Sequence, residues 1–469
     1  MHCHDESRSD ETAQEQIMTI MNDPQFPQLA MALKPALMQD MLQETLVVPT
    51  KTPRPRFLVD SCLIGEKRYK PWESCVLSYD LQLRDLQTGS SRKQVVSARL
   101  CKPREGLKEL HEAKRRKLSP TPGLVPLAHL PGTEMVVWVF PNDRKLTHLP
   151  QLLNLEFLAS HLPAKLASLE LDASNDIDAI SAEVLHYLPE RSCMIRYRLT
   201  AKRRSTGESY ASTLYGKIYR DDHGSETYSV MRQLAEQIPG TAVPLAYDQD
   251  LRTLWQSHVP GHSFIWDMLQ GEKTLSLLHA IGQCLGEFHR CSIQTPSRFG
   301  LPDIKASLTE TVDVARRAYP EMADRIQSLV NRLLAQCNSM RWTEQPMTPI
   351  HRDLKLSNFL FDRETFRLID LDCVCIGHPL TDIASMITNI HLNGIRAGCS
   401  NSSINAIVTT FCSAYREAVS YPVSIPHLNW YTAAAFIHEV IRRSMRQLDT
   451  VRLKHMTDYL DLSEHYASA

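Results

Sequence analysis

Short stretches in the first half of the chain alternate apolar and polar residues, and this period of two is typical of β-strands. The pattern predicts strands at 75–83, 93–102, 193–199 and 209–219. A helix is predicted over 107–118, after the strand at 93–102, and another over 226–237, after the strand at 209–219. Each part therefore predicts a small antiparallel sheet with one helix.

Helical spacing replaces the alternation after Gly261. Apolar residues recur every three or four positions over 275–288, 326–334 and 436–445, and each set traces one face of a helix. A strand-turn-strand at 358–369 interrupts this helical region. The chain is therefore expected to place sheets first and helices second.

The stretch from Tyr69 to Ala128 is repeated 118 residues later. The matched pairs are Tyr69/Tyr187, Pro71/Pro189, Ser74/Ser192, Cys75/Cys193, Tyr79/Tyr197, Leu81/Leu199, Thr88-Gly89/Thr206-Gly207 and Val125-Pro126-Leu127-Ala128/Val243-Pro244-Leu245-Ala246. A constant spacing over so many pairs indicates that the sheet with its helix is duplicated.

These patterns predict four regions. They are a tail with short docking helices at 1–48, a first sheet unit at 49–180, a second sheet unit at 181–262 and a helical unit at 263–469. The docking helices follow from the helical spacing of apolar residues over 27–46, which Pro35 interrupts.

Composition narrows the class of protein. The chain has 469 residues, 43% hydrophobic and 22% charged, with a net charge of −1, which argues against wholesale disorder and against a polyanion-binding chain. The longest apolar run, 135–140, is far shorter than the ~20 residues of a membrane helix. No secretory signal begins the sequence, and its 12 cysteines form no CxxC pair. We expect a soluble cytoplasmic protein with neither nucleic acid nor membrane as partner; its oligomeric state has no signal in the sequence.

The chemistry is concentrated at the two ends of the strand-turn-strand. Asp353 and Asn358 are five residues apart on the loop that enters it, and Asp370 and Asp372 end the return strand. A two-stranded ribbon would bring Asn358 and Asp370 side by side, and such oxygen ligands suit Mg²⁺. Asp353 could then accept the proton of an attacking hydroxyl, and Lys355 could steady a transferring phosphoryl group.

The segment 351–386, HRDLKLSNFLFDRETFRLIDLDCVCIGHPLTDIASM, resembles the active-site core of the aminoglycoside phosphotransferase and choline kinase-like family, relatives of protein kinases. The resemblance implies an α+β, protein-kinase-like two-lobe fold, with the first sheet unit as an N-terminal cap that duplicates the small-lobe sheet. It implies transfer of the γ-phosphoryl group of ATP, or GTP, to a hydroxyl of a small molecule. It also implies Asp353 as the base and Asn358 and Asp370 as Mg²⁺ ligands, with Asp372 as a second acidic position.

The same resemblance assigns a nucleotide side. Lys217 corresponds to the strand lysine that grips the α- and β-phosphates, and Glu226 is its expected orienting partner. In the turn that would cover the phosphates, Arg191 and Ser192 are the expected binding residues. The alternative for a strand lysine is a solvated edge charge.

The stretch 255–261 resembles the family's hinge, where the backbone around Ser257 to Val259 would meet adenine; an ordinary strand and turn is the alternative. The first repeat carries Lys102 at the equivalent strand. No HxD loop occurs before residue 351, so the first repeat cannot complete a second kinase site and is expected to be an accessory cap.

Several departures keep other functions open. Arg352 and Lys355 are protein-kinase choices, and His378 replaces the family's usual Asp. Against a protein kinase, only eleven residues separate Asp370 from Asp382, and neither an Ala-Pro-Glu sequence nor a GxGxxG loop is found. A non-catalytic nucleotide-binding scaffold and a protein kinase remain the alternatives to a small-molecule kinase.

Overall fold

The computed structural model describes residues 23–47, 55–166, 177–202, 207–271, 273–340, 342, 346–362 and 365–469. Two five-stranded antiparallel sheets occupy the first half, with strand orders β1-β2-β3-β5-β4 and β6-β7-β8-β10-β9. The first sheet comprises β1 Phe57–Lys70, β2 Ser74–Asp85, β3 Ser91–Leu100, β4 Leu127–His129 and β5 Met135–Val139. The second comprises β6 Ile177–Leu188, β7 Ser192–Lys202, β8 Ser209–Tyr219, β9 Pro244–Asp248 and β10 Thr253–Ser257. One helix follows the third strand of each sheet, Gly106–Lys114 and His223–Ala235.

The strand registers confirm the duplication found in the sequence. Cys75 pairs with Leu100 across β2 and β3, and Cys193 pairs with Ile218 across β7 and β8. Cys193 lies 118 residues after Cys75, and Ile218 lies 118 residues after Leu100, which is the spacing of the sequence repeat. The tight turns also correspond, because Gly89 and Gly207 both have φ of +73°, a left-handed conformation that favours glycine.

The duplicated unit also includes a helical segment that the sequence comparison did not find. Helices Leu29–Ala32 and Pro35–Leu46 pack on the first sheet, as expected, and helices Leu149–Leu152 and Leu155–Lys165 take the same place on the second. The hydroxyl of Tyr79 donates to the carbonyl of Ala32, and that of Tyr197 donates to the carbonyl of Leu152, each at 2.8 Å. The division of the chain at 48, 180 and 262 stays a prediction.

The second half of the chain is helical, as its apolar spacing predicted. Its helices are Thr274–Arg290, Leu301–Ala318, Pro320–Ser339, Leu380–Arg396, Asn401–Ala418, Ile425–Ala435, Arg442–Gln447, Thr450–Lys454 and Met456–Ser468, with a π-helical turn at Phe436–Ile441. Two small sheets accompany them, with orders β11-β14-β15 and β12-β16-β13. Their strands are β11 His262–Ser263, β12 Arg298–Phe299, β13 Thr348–Ile350, β14 Phe359–Asp362, β15 Thr365–Leu368 and β16 Cys375–Gly377. No helix in the described ranges is both long and apolar enough to cross a membrane.

The first sheet packs directly against the helical half. Most buried residues of both belong to one hydrophobic cluster, to which helix His223–Ala235 of the second unit also contributes. Helices Leu149–Leu152 and Leu155–Lys165 and the face of the second sheet that they cover enclose a separate cluster. Strand β1 packs on helix Arg442–Gln447. At the β1–β2 turn, Arg317 lies 3.3 Å from Glu73 and 5.6 Å from the ring of Trp72. The first repeat is therefore an integral part of the fold.

Candidate active site

A buried carboxylate holds the loop that carries Asp353. Asp382 accepts hydrogen bonds from the backbone N–H groups of His351 at 2.6 Å and Arg352 at 2.8 Å, and its side chain also lies 3.1 Å from Nε2 of His289. Arg352 has φ of +65°, a conformation that a non-glycine residue adopts only where its surroundings enforce it. Asp382 therefore fixes the backbone on which the predicted base stands.

The ribbon of β14 and β15 brings the two predicted metal ligands together. The N–H of Ile369 donates to the carbonyl of Asn358 at 2.9 Å, so Asp370 follows directly beside Asn358. The side-chain amide nitrogen of Asn358 donates to the backbone carbonyl of Asp353 at 3.0 Å. This bond orients the amide and leaves its oxygen for a cation.

Two cations contact the carboxylate of Asp353. Nζ of Lys355 donates to Oδ2 at 3.3 Å, and Nη2 of Arg443 donates to Oδ1 at 2.8 Å. Burial favours a raised pKa for Asp353, but the charges of Arg443 and Lys355 outweigh it and lower the pKa. Sequence reasoning missed Arg443, because it is ninety residues from Asp353 and no motif surrounds it.

Lys217 reaches the carboxylates at the end of the ribbon. Its Nζ lies 2.7 Å from Oδ1 of Asp370 and 2.7 Å from Oδ2 of Asp372. Burial favours a lower pKa for Lys217, but Asp372 and Asp370 raise the pKa overall. Burial likewise favours a higher pKa for Asp370, which the Lys217 ammonium lowers to about 2. The hydroxyl of Tyr219 donates to the other oxygen of Asp372 at 2.7 Å, so this cluster joins the second sheet to the helical half.

Glu226, the expected partner of Lys217, makes a different contact. It lies in the first turn of helix His223–Ala235, and its carboxylate accepts a hydrogen bond from the hydroxyl of Thr295. The described neighbours of Lys217 are the two aspartates instead. A role for Glu226 in nucleotide binding stays a prediction.

The turn that was predicted to cover the phosphates is held by the N-terminal half of the chain. Asp143 accepts hydrogen bonds from the hydroxyl of Tyr187 at 2.6 Å and from the N–H of Glu190 at 2.9 Å. The carboxylate of Glu190 lies 3.1 Å from Nη1 of Arg99 and 3.5 Å from Nη1 of Arg144. Glu190 itself has a left-handed φ of +58°.

Arg191 and Ser192 follow Glu190 directly. The N–H of Arg191 donates to the carbonyl of Leu188 at 3.0 Å, which closes the turn, and buried Ser192 pairs with Tyr219 across β7 and β8. Their positions are therefore set by the contacts of Glu190. Phosphate binding by the two residues stays a prediction.

Arg99 occupies the place in the first repeat that Lys217 has in the second. Val76 pairs with Arg99, and Met194, 118 residues after Val76, pairs with Lys217. Lys102 was predicted to lie on the equivalent strand, which is wrong, because β3 ends at Leu100 and the residue in register with Lys217 is Arg99. The error arose because matching lysine to lysine ignored the strand register, which an arginine satisfies.

The predicted hinge connects the second sheet to the helical half. The N–H of Ser257 donates to the carbonyl of Val243, and its Oγ accepts from the N–H of Val243, both at 2.9 Å. Val259 is buried. Gly261 has φ of +128°, and a Cβ there would lie 3.0 Å from the carbonyl oxygen of Phe361. The chain can thus cross closely over β14 only with glycine, while adenine binding at Ser257 and Val259 stays a prediction.

The donor set at the ribbon fits Mg²⁺. Asp370, Asp372 and Asn358 all offer oxygen atoms, and the two carboxylates already converge on one cationic group, the ammonium of Lys217. Within the described ranges, no group of three or more His, Cys, Asp or Glu side chains forms a metal site. An ion here would therefore complete its coordination with phosphate oxygens and water, as Mg²⁺ commonly does.

Comparison with known families agrees with this arrangement. Residues 197–405, which include Lys217, Asp353, Asn358 and Asp370, match the model of the APH family, described as the phosphotransferase enzyme family. These residues, somewhat less than half of the chain, are similar to that family. The match confirms the resemblance of the sequence and the kinase-like α+β fold, and it confirms at this level that the chain is a phosphotransferase.

Solved structures of the same kind resemble the chain at low sequence identity. A choline kinase from Cryptosporidium parvum has a TM-score of 0.47 and 11% identity, over 66% of this chain and 96% of its own. A spectinomycin phosphotransferase, solved with ADP and spectinomycin, has a TM-score of 0.44 and 12% identity, over 67% of this chain and 98% of its own. An ethanolamine kinase from Plasmodium vivax has a TM-score of 0.41 and 11% identity, over 70% of this chain and 94% of its own. No curated protein matches the chain.

Proposed function

We propose that this phosphotransferase moves the γ-phosphoryl group of ATP, or GTP, to a hydroxyl of a small molecule, with Mg²⁺ as cofactor. One observation carries the proposal: Lys217 from the second sheet meets Asp370 and Asp372, next to Asn358 and the loop of Asp353. A lysine, an amide and acidic groups that converge between two lobes are the parts that phosphoryl transfer requires.

Each residue then has a stated task. Asp353 accepts the proton of the acceptor hydroxyl at Oδ1, the atom that Arg443 contacts, while Lys355 stays at Oδ2. Lys217 exchanges its carboxylate partners for the α- and β-phosphates. Asn358, Asp370 and Asp372 hold Mg²⁺, which neutralises charge on the phosphates when bound. The turn at Arg191 and Ser192 covers the phosphates of the nucleotide.

The proposed location, substrates and partners are those that the sequence predicts. The protein acts in the cytoplasm on a nucleotide and a small hydroxyl compound, with neither nucleic acid nor membrane as partner. No described residue of the catalytic cluster lacks the chemical group its task needs, and this disfavours a scaffold that has lost catalysis.

The test is ADP release from ATP, and GDP release from GTP, with Mg²⁺ and a panel of sugars, sugar acids, amino alcohols, nucleosides and aminoglycosides. We expect one acceptor class to stimulate release in the wild type. Asp353→Asn should reduce turnover by at least about a thousandfold and leave nucleotide affinity within a few fold, because the amide cannot accept the proton.

Turnover that persists in Asp353→Asn contradicts the assignment of the base. Nucleotide binding without acceptor-stimulated release would indicate the non-catalytic scaffold. Phosphorylation of added proteins, with none of the small molecules accepted, would indicate a protein kinase.

A further inference from the structure

The two sides of the candidate cleft differ in their charge balance. On the metal side, one ammonium, Lys217, faces two carboxylates, Asp370 and Asp372. On the other side, one carboxylate, Asp353, faces the two cations Lys355 and Arg443. The metal side thus has a deficit of one positive charge, which a divalent ion covers, and the base side has a surplus of one.

More arginines surround the base side. Arg452, on helix Thr450–Lys454, forms an ion pair with Asp449 at 3.2 Å. Burial lowers the pKa of Arg452 and Asp449 raises it, and the nearby guanidinium groups of Arg443 and Arg396 lower it further. The positive charges of Arg443 and Arg396 therefore each act on Arg452, and Asp449 is paired with Arg452.

Glu439 is a further carboxyl group near the base, and its hydrogen-bond partner lies elsewhere. Glu439 accepts hydrogen bonds from the hydroxyl of Ser385 at 2.9 and 2.8 Å. Burial raises the pKa of Glu439 to about 7, against the effects of Ser385 and Arg443. Near neutral pH a large fraction of Glu439 is uncharged, so it cancels the surplus only in part.

Arg443 can leave Asp353 without disturbing the helix that carries it. Its side chain is 45% exposed. The same helix is fixed by the carbonyl of Met445, which accepts from the hydroxyl of Tyr319 at 3.1 Å, and by the pairing of Arg442 and Arg446 with Glu310. In the proposed reaction the acceptor hydroxyl approaches Oδ1 of Asp353, where Arg443 now binds, so an anionic group on the acceptor can replace Asp353 as the partner of Arg443.

We propose that the acceptor is an anionic hydroxyl compound whose negative group binds Arg443 and thereby frees Asp353. The inference rests on the proposed phosphoryl transfer. An acceptor with a carboxylate neutralises the surplus charge, whereas a cationic amino alcohol or aminoglycoside would meet Arg443 and Lys355 as like charges. Arg443 is then a residue that determines specificity.

The experiment compares acceptors that differ in this charge. Wild-type ADP release is measured with glucuronate against glucose, glycerate against glycerol, and choline. We expect kcat/KM to be about 10- to 100-fold higher for the anionic member of a pair, the range of a hydrogen-bonded charge pair. Arg443→Met should bring this ratio close to one. Arg446→Met, on the same helix but bound to Glu310, is the matched control and should keep the ratio.

Binding is measured separately from turnover. With ADP and Mg²⁺ present, glucuronate should raise the melting temperature of the wild type and of Arg446→Met, and should leave Arg443→Met unchanged. A neutral or cationic acceptor used as well as its anionic counterpart overturns the inference, and so does a ratio that survives Arg443→Met. Glucuronate binding that depends on Arg443 without turnover of any acceptor would support the anion site and contradict phosphoryl transfer.

Discussion

Two ion pairs in the cleft occupy atoms that the proposed reaction needs. Lys217 holds both acidic residues at the end of the ribbon, and Arg443 holds Oδ1 of the predicted base. Each pair satisfies charges that would be costly to leave buried and unpaired. In the proposed reaction each pair is also exchanged for a substrate contact, so the charge of the substrate would determine how readily Asp353 and the two aspartates become free.

A second carboxyl near the base gives a pH-dependent prediction at the residue scale. The pKa of Glu439 is raised by burial to about 7 from 4.5. Between these values the unfolded chain loses a proton that the folded chain keeps, so this group lowers wild-type stability as pH rises from 4.5 to 7. Glu439→Gln removes the effect and should gain roughly 1–3 kcal/mol more at pH 8 than at pH 4.5, measured by urea unfolding.

The matched control is Glu44→Gln, at an exposed glutamate on helix Pro35–Leu46. Its stability relative to the wild type should vary little between the two pH values. A Glu439→Gln effect that is equally independent of pH would show that this carboxyl is not held in its protonated form.

At the scale of elements, the repeats use the same device to hold their first turn. In the first repeat, Asp23 accepts from the hydroxyl of Tyr69 at 2.7 Å and from the N–H of Trp72 at 2.9 Å. In the second, Asp143 binds Tyr187 and Glu190 in the same way. The same geometry therefore serves a turn beside the proposed phosphate site and a turn remote from it.

This pair of turns provides a matched comparison. Asp23→Ala and Asp143→Ala should each lower the free energy of unfolding by about 2–4 kcal/mol, since three donors lose a charged acceptor in the first variant and four in the second. Only Asp143→Ala should also weaken ATP binding, by about tenfold, because its turn carries Arg191 and Ser192. Calorimetric titration with ATP and Mg²⁺ measures this difference. Equal ATP affinity in the two variants would contradict a role for the second turn in phosphate binding.

At the scale of the whole molecule, the shared hydrophobic core makes the first repeat necessary for folding. Met445 and Tyr319 of the helical half belong to the same buried cluster as Leu77 and Tyr79 of the first sheet. A chain that begins at residue 141 would expose this surface and should be insoluble or unfolded, judged by gel filtration and circular dichroism. A folded, monodisperse product would show that the first repeat is a separable cap.

The sequence predicted the features that local patterns encode. The constant spacing of the repeat gave both sheets, and the HRDxxxxN and IDLD motifs gave the ribbon with Asn358 beside Asp370. The helices within 29–46 and 149–165 also correspond between the repeats, but their sequences do not show it. Helix packing requires apolar volume and not particular residues. Arg443 was not predicted because its contact with Asp353 depends on how distant helices pack, and its neighbours in sequence do not reveal this.

Three ion pairs connect the first repeat, the second repeat and the helical half, each with the next. Arg99 of the first repeat holds Glu190 of the second, Lys217 of the second holds Asp370 of the helical half, and Arg317 of the helical half holds Glu73 of the first. Because the first repeat and the helical half share one hydrophobic core, they form one body, and the second repeat is attached to this body both at Glu190 and at Lys217. A movement that breaks the contact of Lys217 with Asp370 would therefore also displace the contact of Arg99 with Glu190, so a substitution at Arg99 is expected to affect the cleft.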